Sequence, residues 1–438
     1  MGKYFGTDGF RGYVGKTLHD YQAYKIGSYL GYIFRGKKIL IGMDTRISGK
    51  MLSENLIKGI TEYGTNIYDM GITTTPSISY ITLKEGFSCG IMITASHNPY
   101  YDNGIKLINS NGEKMEEEFI NEVEKYMDGE IEIEKTKNCG SYIKYDLGKE
   151  LYINHLIKSA IDLKDFKIIL DLANGSATSC AKEVFLKLNA NLKVINNNPD
   201  GKNINTNCGS THMEGLQEEI KKDKYDIGFA FDGDADRCLL VNSKGVIYNG
   251  DHILYILGNY LKKKNELNKN TVVTTIMSNF GLYKAFDIKD INYDKTKVGD
   301  KYVYESMKEN DFSVGGEQSG HIIIKKYAKT GDGILTALQI LKIMKEENKN
   351  IDELTKDLKI YPQVLINVFV KNKKEVLNDI DIINKIKEVE NILKDTGRIL
   401  VRPSGTEELV RVMVEADSLD KCEKYCNLIV NLIKEKEL

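Results

Sequence analysis

Gly90-Ile91-Met92-Ile93-Thr94-Ala95-Ser96-His97-Asn98-Pro99-Tyr100-Tyr101-Asp102-Asn103-Gly104-Ile105-Lys106 is the stretch from which the fold can be read. The apolar run Gly90–Ile93 predicts a short buried strand. The strand ends quickly, because Pro99 has no N–H to donate and its ring pushes Asn98 out of the helical region. Asn103-Gly104 predicts a tight turn, since both residue types tolerate positive φ. A hydroxyl (Ser96), an imidazole (His97) and an ammonium (Lys106) are therefore expected on a loop at the end of a buried strand. In α/β folds that edge of the sheet is where ligands bind. Ser96 is a candidate nucleophile, but a bare serine hydroxyl needs a base, a metal or a strong electrophile. Adjacent side chains on extended backbone face opposite ways, so His97 does not read as its base. Taken alone, the stretch is explained equally well as a polar turn in which Ser96 and Asn98 bond their own backbone.

Strands and helices alternate outward from this loop. A helix is predicted near His19–Phe34, a strand at Lys38–Met43 ending at Asp44, and a helix near Lys50–Tyr63. A strand near Asn66–Met70 and a helix near Pro76–Glu85 follow. This alternation argues for a mixed or parallel sheet covered by helices. The unit recurs as the strand Phe166–Leu170, a helix near Ser179–Leu188 and the strand Tyr225–Phe231, and again from Thr271–Met277 to Phe312–Val314. The second strand of each unit leads into a loop rich in functional groups: Thr94–Asn98, Asp232–Arg237 and Gly315–His321. The exits also match, since Lys106-Leu-Ile-Asn-Ser-Asn-Gly resembles Leu239-Leu-Val-Asn-Ser-Lys-Gly, with His321-Ile-Ile-Ile-Lys-Lys a looser version. From about Gln363 the pattern changes to strands at Val364–Val370, Arg398–Val401 and Leu409–Val414, with helices at Ile380–Leu393 and Leu419–Lys434. The charged stretch Lys342–Asp357 lies on a helix and linker just before it. The expected architecture is α/β: three related α/β domains with mixed sheets (1–150, 151–250, 251–362) and a smaller C-terminal α+β domain (363–438) around a central cleft.

Bulk properties narrow the function. A chain of 438 residues holds roughly three or four domains. Apolar residues make up 41% and charged residues 28%, and the formal net charge is −2. No global field therefore recruits nucleic acid or an acidic membrane, and an anionic ligand must be held by local cations. The seven cysteines are odd in number and lack metal-ligand spacing, which points to reduced thiols and a cytoplasmic setting. The opening Met-Gly-Lys-Tyr-Phe-Gly-Thr-Asp-Gly has no apolar signal core. No apolar window of about 18 residues predicts a membrane span.

Three further loops carry chemistry. Asp232-Gly-Asp-Ala-Asp-Arg237 sets three carboxylates at alternate positions between apolar strands. Anions this close repel unless a cation neutralises them, and hard oxygen ligands suit Mg²⁺ or Ca²⁺. A Ca²⁺ EF-hand would need Gly at Arg237 and Glu at Ser243, so Mg²⁺ is favoured. Gly315-Gly-Glu-Gln-Ser-Gly-His321 offers carboxylate, amide, hydroxyl and imidazole groups suited to a hydroxyl-rich sugar. Arg402-Pro-Ser-Gly-Thr-Glu407 with Arg411 reads as a phosphate clamp. Ser404, Thr406 and the N–H groups around Gly405 would form a nest, and Arg402 and Arg411 would supply bidentate charge. Near the N-terminus, Phe5-Gly-Thr-Asp-Gly-Phe-Arg-Gly12 combines turn-forming glycines with Arg11, which could contact a phosphate. Neither a nucleotide P-loop nor a Gly-x-Ser-x-Gly hydrolase elbow is present.

With these four motifs in this order over nearly its whole length, the chain resembles the α-D-phosphohexomutase superfamily. The opening motif and the sugar loop with Gln318 are similar to the branch that interconverts glucosamine 6-phosphate and glucosamine 1-phosphate, feeding UDP-N-acetylglucosamine and cell-wall synthesis. A phosphomannomutase or phosphoglucomutase with the same chemistry is the alternative. The resemblance implies a phosphoserine at Ser96, Mg²⁺ held by Asp232, Asp234, Asp236 and a phosphoserine oxygen, and a 1,6-bisphosphate of glucose or glucosamine as intermediate and activator. It places Lys106 and His97 close to the transferring group. Lys106 would serve proton transfer if a cationic site lowered its basicity, and Arg11 and Arg237 would steady charge. It implies sugar contacts at Glu317, Ser319 and His321 and phosphate contacts at Arg402, Ser404, Gly405, Thr406 and Arg411. The implied partner is a phosphorylated hexosamine, with no nucleic acid or membrane, in a monomer or homodimer. Two positions depart from the family pattern: Glu408 stands where proline is usual, and Lys301 where arginine is common.

Overall fold

Ile39, Leu40 and Ile41 are fully buried, as a parallel strand covered on both faces requires. Their strand, Lys38–Met43, lies inside the first of four sheets in the computed structural model, which describes residues 2–404 and 408–436. In spatial order that sheet is Phe10–Tyr13, Asp102–Asn109, Cys89–Ile93, Lys38–Met43, Asn66–Ile72 and Tyr142–Lys144. Its last four strands are parallel, and the first two pair antiparallel. The second sheet runs Ile247–Tyr248, Cys238–Asn242, Ile227–Phe231, Lys167–Asp171, Asn191–Ile195, and the third Asn292–Thr296, Thr271–Thr275, Val314–Gly316, Ile322–Ile324.

One pattern repeats in all three sheets. A central strand pairs in parallel with an outer strand on one side, itself the sheet edge in the second and third sheets, and with a buried strand on the other. The buried strand ends in the functional loop, and the chain returns antiparallel beside it. The expected repeat of three mixed-sheet units is therefore present, with one correction. The functional loop follows the third strand of each unit, because the edge strands Asn191–Ile195 and Asn292–Thr296 intervene. Neither contains a buried residue, and polar side chains interrupt both, so they lack the buried apolar run that marks an inner strand.

A second correction concerns Asn103-Gly104, expected as a turn. Both residues lie within the strand Asp102–Asn109, opposite Gly12 and Arg11. Glycine is required there by close approach: a Cβ on Gly104 would stand 2.6 Å from the Thr94 carbonyl oxygen and 2.9 Å from that of Phe10. Lys106 consequently projects from a strand, not from a loop.

The chain groups into two units, Met1–Met277 with Ile291–Thr355, and Ser278–Asp290 with Lys356–Leu438. The second contains the antiparallel sheet Gln363–Phe369, Leu409–Ala416, Gly397–Pro403. Its core includes Val368, Val389, Val412 and Ile429, the last two carried by the central strand and the helix Leu419–Glu435. The helix Phe280–Ile288 belongs to this unit, with the Phe280 N–H donating to Glu415 Oε2 at 2.8 Å. Among the described residues no helix is long and apolar enough to cross a membrane.

In the first unit the helices Asp20–Ile33 and Gly49–Glu62 pack backbone to backbone. A Cβ on Gly27 would lie 2.4 Å from the Leu56 carbonyl oxygen, and one on Gly59 would lie 2.5 Å from that of Tyr24. Overpacking of this kind costs about 1–3 kcal/mol. Gly27→Ala should therefore lower the thermal unfolding midpoint; an unchanged midpoint would show that the helices separate freely.

Candidate active site

Ser96 follows the fully buried strand Cys89–Ile93 and is itself buried. Its φ of 51° is left-handed, a conformation that costs a non-glycine residue about 1–2 kcal/mol. The Ser96 N–H donates to Thr94 Oγ1 at 2.9 Å, and Thr94 Oγ1 donates to Asp44 Oδ2 at 2.7 Å. The Ser96 hydroxyl donates to Asp232 Oδ2 at 2.6 Å. His97 Nδ1 is 3.4 Å from the same hydroxyl, a weak contact beside the short carboxylate bond. The Ser96 backbone is left-handed, not extended as expected, so the two neighbouring side chains do approach each other, though only at this distance. Burial, with Arg237 and Arg11 adding to it, pushes the His97 imidazole down to about 3.

The second loop turns sharply at Ala235, whose φ is 61°, and the Ala235 N–H donates to the Asp232 carbonyl at 3.1 Å. The turn lets three alternate carboxylates converge. Asp232, Asp234 and Asp236 are buried, with ligand oxygens within 4.8 Å of one another. Burial and repulsion from Asp236 and Asp234 drive Asp232 well above the usual carboxylate range. Burial would raise Asp234 too, but Lys106 and a 2.5 Å hydrogen bond from Thr75 Oγ1 outweigh it and hold this carboxyl low. Lys106 Nζ contacts Asp234 Oδ2 at 2.9 Å, Asp8 Oδ1 at 3.2 Å and Asp236 Oδ2 at 3.3 Å. Burial alone would lower Lys106, but these carboxylates raise it well above its ordinary value. Its surroundings are thus anionic, opposite to the cationic site that would make it a base.

These groups suit a hard divalent cation. The buried Oδ1 atoms of Asp234 and Asp236 have no hydrogen-bond partner, and such orphaned acceptors are costly. Oxygen ligands of this kind match Mg²⁺.

Arg11 pairs with Asp8, and Asp8 is also 3.6 Å from Lys114 Nζ. The Arg237 N–H donates to Asp232 Oδ1 at 3.2 Å, and its guanidinium lies 3.9 Å from Asp236 Oδ1. Arg237 also bridges backbone to backbone with His321, joining the second loop to the third. In that loop His321 Nε2 accepts from the Gly331 N–H at 3.2 Å and is 3.5 Å from Asp300 Oδ2. Glu317 Oε1 accepts from the Gly299 N–H at 3.0 Å, Ser319 is exposed, and burial raises the Glu317 carboxyl. A cavity of ≈ 690 Å³ is lined by Asp8, Lys106, Asp236, Asp300, Lys301 and His321 among others. Lys301 pairs there with Glu117.

The structure thus brings together Ser96, His97, Lys106, Arg11, Asp232, Asp234, Asp236, Arg237, Glu317 and His321, with Ser319 on the loop beside them. Arg402, Ser404 and Arg411 belong to the other unit. There Arg402 and Arg411 are directly opposed across paired strands, and burial and the Arg411 charge lower the Arg402 guanidinium. The Ser404 N–H donates to the Leu409 carbonyl at 2.9 Å, and Lys373 lies 3.1 Å from Glu408. Two like charges side by side favour an anion between them. Gly405 and Thr406 lie outside the described residues.

Sequence reasoning missed Asp8, Asp44, Arg46, Thr75, Lys114, Asn205 and Asp300. Two of them stand at local signals: Asp8 lies inside the Phe5–Gly12 motif, and Asp44 ends the strand Lys38–Met43, where an α/β sheet places its ligands.

Four family profiles match the chain, all described as phosphoglucomutase/phosphomannomutase: alpha/beta/alpha domain I at residues 2–134, domain II at 150–245, domain III at 249–361 and the C-terminal domain at 365–432. A phosphoglucosamine mutase of Lachnospira eligens is 54% identical over 100% of this chain and 99% of its own. Among solved structures, a phosphoglucomutase/phosphomannomutase family protein from Burkholderia thailandensis aligns with a TM-score of 0.80 at 22% identity, over 100% of this chain and 98% of its own. The Aspergillus fumigatus N-acetylphosphoglucosamine mutase in complex with GlcNAc-6P and magnesium aligns with a TM-score of 0.69 at 18% identity, over 99% and 96%.

Two outcomes follow from the electrostatics. Mg²⁺ added to metal-free protein should raise the thermal midpoint, by about 2.7 kcal/mol in stability at a hundredfold excess over Kd. Asp234→Asn and Asp236→Asn should lose that gain, and a gain retained in both would place the cation elsewhere. For His97, the folded value of about 3 lies below the unfolded value near 6.5. The unfolded chain therefore binds more protons between these limits, so this contribution is present above about pH 6.5 and is lost as pH falls toward 3. In an NMR titration the His97 ring should show no inflection between pH 5 and 8.

Proposed function

The chain belongs to the phosphoglucomutase/phosphomannomutase family, and from that premise we propose that it interconverts glucosamine 6-phosphate and glucosamine 1-phosphate. The observation that carries the reading is the Ser96 hydroxyl donating at 2.6 Å to Asp232 inside a three-carboxylate cluster with Lys106 beside it. The imidazole that a serine hydrolase would use is only in weak contact, His97 Nδ1 lying 3.4 Å from the hydroxyl. A serine so placed suits a phosphoryl carrier, which needs charge compensation and positioning more than a general base.

Ser96 in its phosphorylated form gives its phosphoryl group to O1 of the 6-phosphate sugar. The bond from Ser96 Oγ to phosphorus breaks as the bond to O1 forms, giving a 1,6-bisphosphate. That intermediate turns over and returns its other phosphoryl group to Ser96, leaving the 1-phosphate. A hexose 1,6-bisphosphate therefore also serves as activator by loading Ser96. Asp232, Asp234 and Asp236 would hold Mg²⁺, which when bound offsets charge on the transferring group. Lys106, kept protonated by its carboxylate neighbours, supplies positive charge, gives its proton to the departing Ser96 Oγ and takes back the proton that O1 loses, and Arg11 and Arg237 add charge. His97 stays neutral. Glu317, Ser319 and His321 receive the sugar hydroxyls. Arg402, Ser404, Gly405, Thr406 and Arg411 take the phosphate that is not transferred. Domain boundaries at 1–150, 151–250, 251–362 and 363–438 assign one of these tasks to each domain.

The test is side-by-side turnover of glucosamine, glucose and mannose 6-phosphates with Mg²⁺, followed by phosphorus NMR. The glucosamine substrate should have the highest kcat/KM. A preference for glucose or mannose phosphate would move the enzyme to the phosphoglucomutase or phosphomannomutase branch.

A further inference from the structure

A single guanidinium gathers the carbonyls of the Ser96 loop. Arg46 lies just beyond the strand Lys38–Met43 and is buried with Asp44, whose Oδ2 accepts from Arg46 Nε at 2.9 Å. Arg46 Nη2 donates to the Ser96 and Asn98 carbonyls, each at 2.8 Å. Nη1 donates to the Asp102 carbonyl at 3.1 Å and also to that of Pro99. Asn205, which comes from the second repeat, sends Nδ2 to two of the same acceptors: the Ser96 carbonyl at 2.9 Å and the Asn98 carbonyl at 3.1 Å. The Gly233 backbone closes over the same place, since a Cβ there would stand 2.5 Å from the Ser96 carbonyl oxygen.

The Ser96 carbonyl is therefore fixed from the first repeat by Arg46 and from the second by Asn205. Its peptide cannot rotate without breaking both contacts. With the Ser96 N–H held by Thr94 Oγ1 at 2.9 Å, a carbonyl fixed in this orientation keeps Ser96 in its left-handed backbone and its Oγ aimed at Asp232. A planar guanidinium can serve several acceptors at once, whereas an ammonium is a point donor. Neither Arg46 nor Asn205 lines the cavity.

We infer that Arg46 and Asn205 are positioning residues that hold Ser96 in the conformation required for phosphoryl transfer. The inference rests on Ser96 being the phosphoryl carrier. It places their effect in the chemical step and in loading of Ser96, not in sugar binding.

The experiment compares wild type, Arg46→Lys and Asn205→Gly with Mg²⁺ present. Glycine at 205 keeps the left-handed φ of 58° without strain and removes only the amide. Lysine at 46 keeps a charge beside Asp44 but loses the fork. Steady-state kinetics give kcat and KM. Time-resolved intact mass gives the rate and the final stoichiometry of phosphorylation by glucose 1,6-bisphosphate. A misplacement of about 1 Å costs about 100-fold, so kcat should fall about 100-fold in Arg46→Lys and about tenfold in Asn205→Gly. KM should stay within about twofold, as for a contact that acts only in the transition state. Loading should slow by the same factors yet reach wild-type stoichiometry. A wild-type loading rate in both variants would overturn the inference, as would a loss fully explained by reduced final stoichiometry, which marks mere loss of folded protein. If Arg46→Lys does not fold, Asn205→Gly decides alone. A wild-type protein that takes no phosphate would remove the carrier itself, and the inference with it.

Discussion

Three buried carboxylates whose oxygens lie within 4.8 Å of one another repel strongly unless positive charge or protons meet them. Lys106 answers part of that demand, the Ser96 and Thr75 hydroxyls answer another part, and the orphaned oxygens of Asp234 and Asp236 leave room for a cation. The cluster thereby decides what the neighbouring serine can do. A hydroxyl donating to a carboxylate inside an anionic pocket is a poor base-activated nucleophile. With a divalent cation present, it becomes a suitable resting place for a phosphoryl group.

The repeated sheet explains how the cluster is assembled. Each repeat carries a buried strand to the same edge and turns back antiparallel, so loops distant in sequence end side by side. The turns themselves are tight. Ser96 and Ala235 both take left-handed φ values, Gly233 sits where a Cβ would strike the Ser96 carbonyl, and Gly104, in the returning strand, where one would strike the Thr94 carbonyl. At Ser96 the strained backbone is held by buried polar contacts, chiefly the Asp44–Arg46 pair. Removing one partner of such a pair costs about 3–5 kcal/mol because the other is left buried and uncompensated.

Much of this was legible in the sequence for definite reasons. The alternate aspartates 232, 234 and 236, flanked by apolar strands, announce a cation site, and the apolar run before Ser96 announces a strand end. The inner strand Lys38–Met43 was legible because burial on both faces leaves a continuous apolar run. The rest depends on contacts that no local pattern encodes. Asn205 meets Ser96 across 109 positions, and Thr75 meets Asp234 across 159. Asn103-Gly104 misled because the pair is common in turns, whereas here glycine answers the crowding of Thr94 and Phe10. Lys106 was placed near the transferring group, but its charge state follows from Asp8, Asp234 and Asp236 together, which spacing alone does not reveal.

The account stands most directly on where a phosphoryl group resides. Protein incubated with glucose 1,6-bisphosphate and Mg²⁺, then digested and sequenced by tandem mass spectrometry, should carry phosphate on Ser96 within the peptide spanning Thr94–Lys106. That phosphate should disappear when glucosamine 6-phosphate is added. Phosphate on another residue, or none on Ser96, would contradict the account.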